Sequence, residues 1–301
     1  MFKIHFPGSL IAILLTAVLS YSGPGIAASE PLRPAQINIV ASFYPVYITV
    51  RNVTRDVPGV SVTNLTPPLT GCLHDYTVTA NDMKKLARAQ VFVANGAGME
   101  AFLDKITSQY PAMKIMQLSE GIPLIEGPGN EGNNPHVWVS ISDAILQVKN
   151  LGKAMDSFDP SRRQYYDRNV SAYVAKLEVL KQKMHSELAP YAGRSIITFH
   201  EAFPYFAREF GLKIATTVER EPGSEPSARE LADTINLIKK TGIRAIFSEP
   251  QYPSRAALAI AKETGTRVYV LDPAATGPDD YDAYLRIMET NLEVLKKALA
   301  Q

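Results

Sequence analysis

Cysteine is nearly absent from this chain: Cys72 is the only one in 301 residues, so no disulfide can close within it. Charge of one sign is missing too. The 31 Lys and Arg stand against 30 Asp and Glu, a formal net charge of +1, so neither an acidic tail nor the basic field that draws nucleic acid is present. No nucleic-acid partner is expected. Long apolar runs are also wanting: Leu10–Leu19 is too short to span a bilayer. The helical zinc-hydrolase pattern H-E-x-x-H does not occur, since His200-Glu201 is followed by Ala-Phe-Pro-Tyr-Phe.

What is there begins with that short apolar run. Lys3 precedes it and the small residues Gly25–Ala28 follow it, the layout of a secretory signal peptide over residues 1–28 with cleavage near Ala28. An exported, soluble chain is expected. No cysteine stands at the cleavage region, so no lipid anchor is expected. The remaining composition, 46% hydrophobic and 20% charged, is that of an ordinary globular protein, and the length suits two lobes better than one core.

Short β-rich runs then alternate with helical segments. Strands are expected at 37–42, 60–65, 91–95 and 114–118, with helices at 45–56, 79–89 and 99–108 and from Ser140 or Ser142 to 156. Thr79 with Asp82, and Ser227 with Glu230, have the spacing of capping boxes. The alternation restarts with strands at 195–199, 213–218, 244–248 and 267–271 and helices at 201–210, 227–240, 254–264 and 281–300. Between the halves lies one long helical pattern, 159–189. Tyr166, Val170, Tyr173, Val174, Leu177, Leu180, Met184 and Leu188 form its apolar face, Asp159 and Pro160 open it and Pro190 closes it. The fold class expected is therefore α/β, with two lobes, each a mostly parallel sheet with flanking helices, joined by one long spine helix. The lobes occupy 36–158 and 190–301 and the spine 159–189.

Four histidines lie beyond the leader. His185 sits in the spine with no evident partner and is read as structural. His74 follows the second strand, His136 ends a Gly- and Asn-rich loop, and His200 directly follows a strand. Strand ends are where open α/β sheets bind ligands, and Glu249 and Asp272 hold the same kind of position. A single loop histidine or a single Asp-Pro is commonly a solvated or turn residue. Here two histidines come from one lobe, and one histidine and Asp272 from the other. Three imidazoles and a carboxylate suit Zn²⁺. Cys72, two residues before His74, is either a soft ligand or a small buried thiol.

The segments GCLHDYTVTANDMKKLARAQVFVANGAGME, NPHVWVSISDA, SIITFHEAFPYFAREFGL and VYVLDPAA resemble the metal-binding cluster of periplasmic solute-binding proteins that feed ABC importers, and within it the zinc-binding branch. The resemblance covers essentially the whole chain after the leader. It implies His74, His136 and His200 as metal ligands and Asp272 as the fourth, with Glu249 or water as rivals. A histidine rather than a carboxylate at position 200 favours zinc over manganese. It implies capture of Zn²⁺ between the lobes and delivery to a membrane permease, by a monomer in the periplasm. Mn²⁺ or Fe²⁺ in the same role, a zinc hydrolase and an adhesin are the competing readings. Two departures stand out: the loop 121–134 is short and has no histidine, and the family usually has no cysteine before its first histidine.

Overall fold

The computed structural model describes residues 1–4, 36–67, 69–73, 76–127, 132–218, 226–251 and 255–300. The leader expected over 1–28 and the site residue His74 lie outside the described residues, the leader except for its first four residues. The chain divides at Pro34, and everything below concerns the unit Ala35–Gln301.

The first sheet is built from β1 (Ile37–Ala41), β2 (Val60–Asn64), β3 (Val91–Ala94) and β4 (Lys114–Gln117), and the second from β5 (Ser195–Thr198), β6 (Lys213–Thr217), β7 (Ala245–Ser248) and β8 (Arg267–Val270). All pairings within the two sheets are parallel, and the orders β2-β1-β3-β4 and β6-β5-β7-β8 are the same arrangement used twice. The sequence explains which strands are central. VFVA and AIFS are buried at every position, whereas the edge strands VSVTN and KIATT are only half-buried or exposed. In each sheet the strand order reverses beside the first strand, which opens a crevice at the carboxyl ends of β1 and β3 and of β5 and β7.

The helices of the first lobe are α1 (Tyr44–Val53), α2 (Ala80–Leu86), α3 (Leu103–Gln109) and α4 (Ile141–Phe158); α5 (Arg163–Leu188) is the spine; the second lobe carries α6 (Pro204–Phe210), α7 (Ala228–Thr241), α8 (Arg255–Thr264) and α9 (Ala283–Leu299). Both capping boxes form, on α2 and on α7. Of the two candidate caps for α4, Ser140 is the cap, accepting from the Asp143 N–H. Both α3 and α6 start later than their patterns suggest. Residues 96–102 wrap around the buried Glu100 carboxylate, which accepts from the Asn95 and Gly96 N–H groups at 2.7 and 3.0 Å, so α3 begins only at Leu103. Pro204 occupies the first turn of α6, and the residue before a proline resists helical backbone.

The spine buries Tyr166, Tyr173, Leu177, Leu180, Met184 and Leu188, the face the sequence pattern marks, and its 26 residues reach about 39 Å. Asp159 does not cap it in the usual way. A 3-10 turn, Pro160–Arg162, intervenes, and the Asp159 carboxylate instead accepts from Ser161, Arg162 and Tyr166 side chains at 2.6–2.7 Å. Gly152 lets α4 lie close to the spine: a Cβ there would stand 2.6 Å from a Val170 methyl. One hydrophobic core runs through both lobes, from β1, β3 and α1 across the spine to Ile196, Phe206 and α9. A smaller cluster under α7 and α8 covers the opposite face of the second sheet. Among the described residues no helix is long and apolar enough to cross a membrane.

Candidate metal centre

His200 and Glu249 sit two residues beyond the registered pair Thr198 and Phe247 on adjacent parallel strands, so the sheet delivers both side chains to the same crevice. The His200 Nδ1 lies 3.3 and 3.4 Å from the two Glu249 oxygens, and both residues are almost fully buried. A carboxylate behind an imidazole fixes the ring; with Nδ1 turned to Glu249, Nε2 is the nitrogen that could hold a metal.

His136 reaches the same place from the first lobe. Its ring centroid is 4.7 Å from that of His200, with the planes nearly perpendicular. Asn134 holds it: the Asn134 Oδ1 accepts from the His136 N–H at 3.0 Å and faces His136 Nδ1 at 3.1 Å. Asn134 is itself fixed across the crevice, donating from Nδ2 to the Glu201 carbonyl at 2.8 Å while its own carbonyl accepts from the Tyr205 hydroxyl at 2.7 Å. Asn95, at the end of β3, donates from Nδ2 to the carbonyl of Pro135 at 2.9 Å and accepts from Gln147 at 2.8 Å. Trp138, two residues past His136, packs edge-on against Phe43 and donates to the Pro273 carbonyl at 2.8 Å.

Cys72 completes a three-donor group. The sulfur and one ring nitrogen each from His136 and His200 all lie within 4.8 Å of one another. Two hydrogen bonds anchor residues that follow Cys72. Leu73, fully buried, donates its N–H to Met99 Sδ at 3.4 Å. Tyr76 donates to Asp82 at 2.7 Å, the same carboxylate that serves the α2 capping box.

Asp272 is not one of these three close donors. It is half-buried at the end of β8, with its backbone paired to the Asn291 side chain in both directions and its Oδ1 accepting from the Ala274 N–H at 2.8 Å. Burial, and then the charge of nearby Glu249, push its carboxyl up against the lowering effect of that N–H. His185 stands apart on the spine, its Nε2 3.2 Å from Glu209. Glu209 in turn accepts from the Ser140 and Ser142 hydroxyls at 2.7 and 2.6 Å, which ties α6 to the start of α4.

The supporting residues Asn95, Glu100, Asn134 and Gln147 carry little sequence signal. Only the Asn-Pro pair directly before His136 marks a turn in advance. The strand-end position of Glu249 was visible, but its pairing with His200 depends on the β5–β7 register.

Comparison with known proteins gives this centre its context. The high-affinity zinc uptake system protein ZnuA of Bacillus subtilis is 29% identical over 310 residues, covering 96% of each chain. The zinc-binding lipoprotein AdcA of Streptococcus pneumoniae is 30% identical over 97% of this chain, which spans only 60% of AdcA. The Zn(II)-bound AdcA structure superposes with a TM-score of 0.78, covering 89% of this chain and 58% of that one. The Pseudomonas aeruginosa solute-binding protein FpvC in complex with Mn²⁺ superposes with a TM-score of 0.79 at 30% identity, covering 88% of this chain and 98% of FpvC. The family model for the periplasmic component A of zinc-uptake complexes matches residues 39–298. With twin parallel-sheet lobes about a spine helix and imidazoles meeting from both sides, this chain belongs to the ZnuA family of periplasmic solute-binding proteins.

Proposed function

We propose that this protein captures Zn²⁺ at the junction of its lobes, 36–158 and 190–301, and hands it to the permease of an ABC importer. His74, His136, His200 and Asp272 are the proposed ligands. The observation that carries this reading is the meeting of His136 and His200, one from each side of the spine, each nearly fully buried and each oriented by an oxygen acceptor at Nδ1. Two buried imidazoles held edge to face serve little purpose in packing and suit a borderline-soft cation. The spine and the shared core oppose a wide hinge. So do bonds that cross between lobes: Trp138 to Pro273, Tyr44 to the Pro278 carbonyl at 2.8 Å, and Asn52 to the Tyr281 carbonyl at 2.9 Å. Loading and release then involve small lobe shifts and movement of the loops that carry the ligands, as distinct from wide closure of two separate domains.

The protein acts in this reading as an exported, soluble monomer without catalytic activity, and without a nucleic-acid partner. Titration of metal-stripped protein with Zn²⁺ and with Mn²⁺, for the native chain and His200→Ala, tests it. Zn²⁺ binds more tightly than Mn²⁺, and the substitution weakens Zn²⁺ by well over tenfold. Equal affinity for the two ions contradicts the zinc assignment, and an unchanged affinity in His200→Ala contradicts the site.

A further inference from the structure

We infer that Cys72 is itself a metal ligand in this protein, supplying a thiolate that tunes the centre toward soft cations. The inference rests on the reading of the centre as a metal site, and goes beyond the histidine and carboxylate set proposed for it.

Three donors from three separate segments, the loop after β2, the turn before α4 and the end of β5, converge within 4.8 Å. Zinc held tetrahedrally at about 2.3 Å from sulfur and about 2.0–2.1 Å from nitrogen sets neighbouring donors about 3.3–3.6 Å apart. Closing on an ion therefore asks the three atoms to move by about an ångström or less, within the reach of a χ1 adjustment of Cys72. The backbone beside the thiol is fixed by buried Leu73 on Met99, so the sulfur is positioned without the ion.

The nearby carboxylates point elsewhere in part. Glu249 faces His200 Nδ1 with both oxygens, and Asp272 Oδ1 accepts from the Ala274 N–H. Neither carboxylate joins the converging group, whereas the sulfur does. Chemistry points the same way. A thiol beside a divalent cation loses its proton outright, and a thiolate with two imidazoles prefers Zn²⁺, Cd²⁺ and Co²⁺ to the oxygen-seeking Mn²⁺. Cys72 is half-buried where His136 and His200 are buried.

Co²⁺ added to the metal-stripped protein is the test, because a cobalt–thiolate bond gives an intense near-ultraviolet charge-transfer band that nitrogen and oxygen ligands do not. The native protein shows that band at one equivalent. Cys72→Ser loses it while keeping the weaker visible bands of a bound Co²⁺, and its preference for Zn²⁺ over Mn²⁺ falls by about tenfold or more. A native protein that binds Co²⁺ without the band overturns the inference and leaves the histidine site standing, as does a Cys72→Ser protein with unchanged Zn²⁺ to Mn²⁺ preference. A native protein that binds neither Co²⁺ nor Zn²⁺ overturns the metal-site reading itself. The native spectrum alone decides the ligation, so the test survives poor folding of the variant.

Discussion

The indole Nε1–H of Trp138 donates to the carbonyl of Pro273 at 2.8 Å, joining the turn that carries His136 to the residue that follows Asp272. The Tyr284 hydroxyl donates back to the Trp138 carbonyl at 2.8 Å, so a residue of the first lobe is held from two elements of the second. Trp138→Phe keeps most of the packing on Phe43 but leaves the buried carbonyl without its donor. A stability loss of about 1–3 kcal/mol is expected in denaturant unfolding, together with weaker Zn²⁺ binding, because the two halves of the site lose their shared strut.

Asn95→Ala should act on binding more than on the fold. The substitution removes the donor to Pro135 and the acceptor for Gln147, which together hold the approach to His136. Supporting residues of this kind commonly contribute 10–100-fold to metal affinity. Titration of the variant should show a loss in roughly that range, with Zn²⁺ stoichiometry unchanged.

The carboxylate of Asp159 governs acid stability at the head of the spine. Burial raises its pKa, but hydrogen bonds from Ser161, Arg162 and Tyr166 and the Arg162 charge outweigh burial and hold it below the ordinary carboxylate value. A group whose pKa is depressed by folding stabilises the native state above its unfolded pKa and loses that contribution as pH falls through the folded one. Asp159→Asn is therefore expected to cost about 3–5 kcal/mol near neutral pH, leaving Arg162 buried without its counter-charge. The gap between variant and native protein should narrow as the pH falls below the ordinary carboxylate range, a trend that urea unfolding at several pH values reads directly.

Gly152→Val probes the packing of α4 on the spine. A Cβ at this position already meets a Val170 methyl at 2.6 Å, so the larger side chain must push the helices apart. Overpacking of this kind costs about 1–3 kcal/mol. The paired change Val170→Ala should recover part of the loss, and the double-mutant cycle measures how much.

Much of this architecture was legible in the residues alone, and the reasons are local. The VFVA and AIFS runs, the Thr79–Asp82 and Ser227–Glu230 boxes and the apolar stripe from Tyr166 to Leu188 each state their structure within a few residues. The later starts of α3 and α6 were less visible because tertiary and proline effects decide them: the Glu100 carboxylate turns back onto Asn95 and Gly96, and Pro204 sets its own first turn. At the site, His136 and His200 announced themselves by position. The convergence of Cys72 with them depends on how two lobes face each other, which no spacing records. The work of Asn134, whose side chain reaches both His136 and Glu201, was hidden for the same reason.

Ligand linkage supplies a check that needs no variant. A cation that binds only the folded chain stabilises it by about 2.7 kcal/mol at a free concentration one hundred times its Kd. For a unit of this size that corresponds to a rise in melting temperature of about 5–10 °C. Zn²⁺ should produce it at lower concentration than Mn²⁺, and a chelator should reverse it.

Anomalous diffraction at the zinc absorption edge, from crystals of the loaded protein, locates the bound ion itself. A single strong peak is expected about 2.0–2.1 Å from one ring nitrogen of His136 and one of His200. A peak bound by residues of one lobe alone, or a principal peak away from this histidine pair, would contradict it.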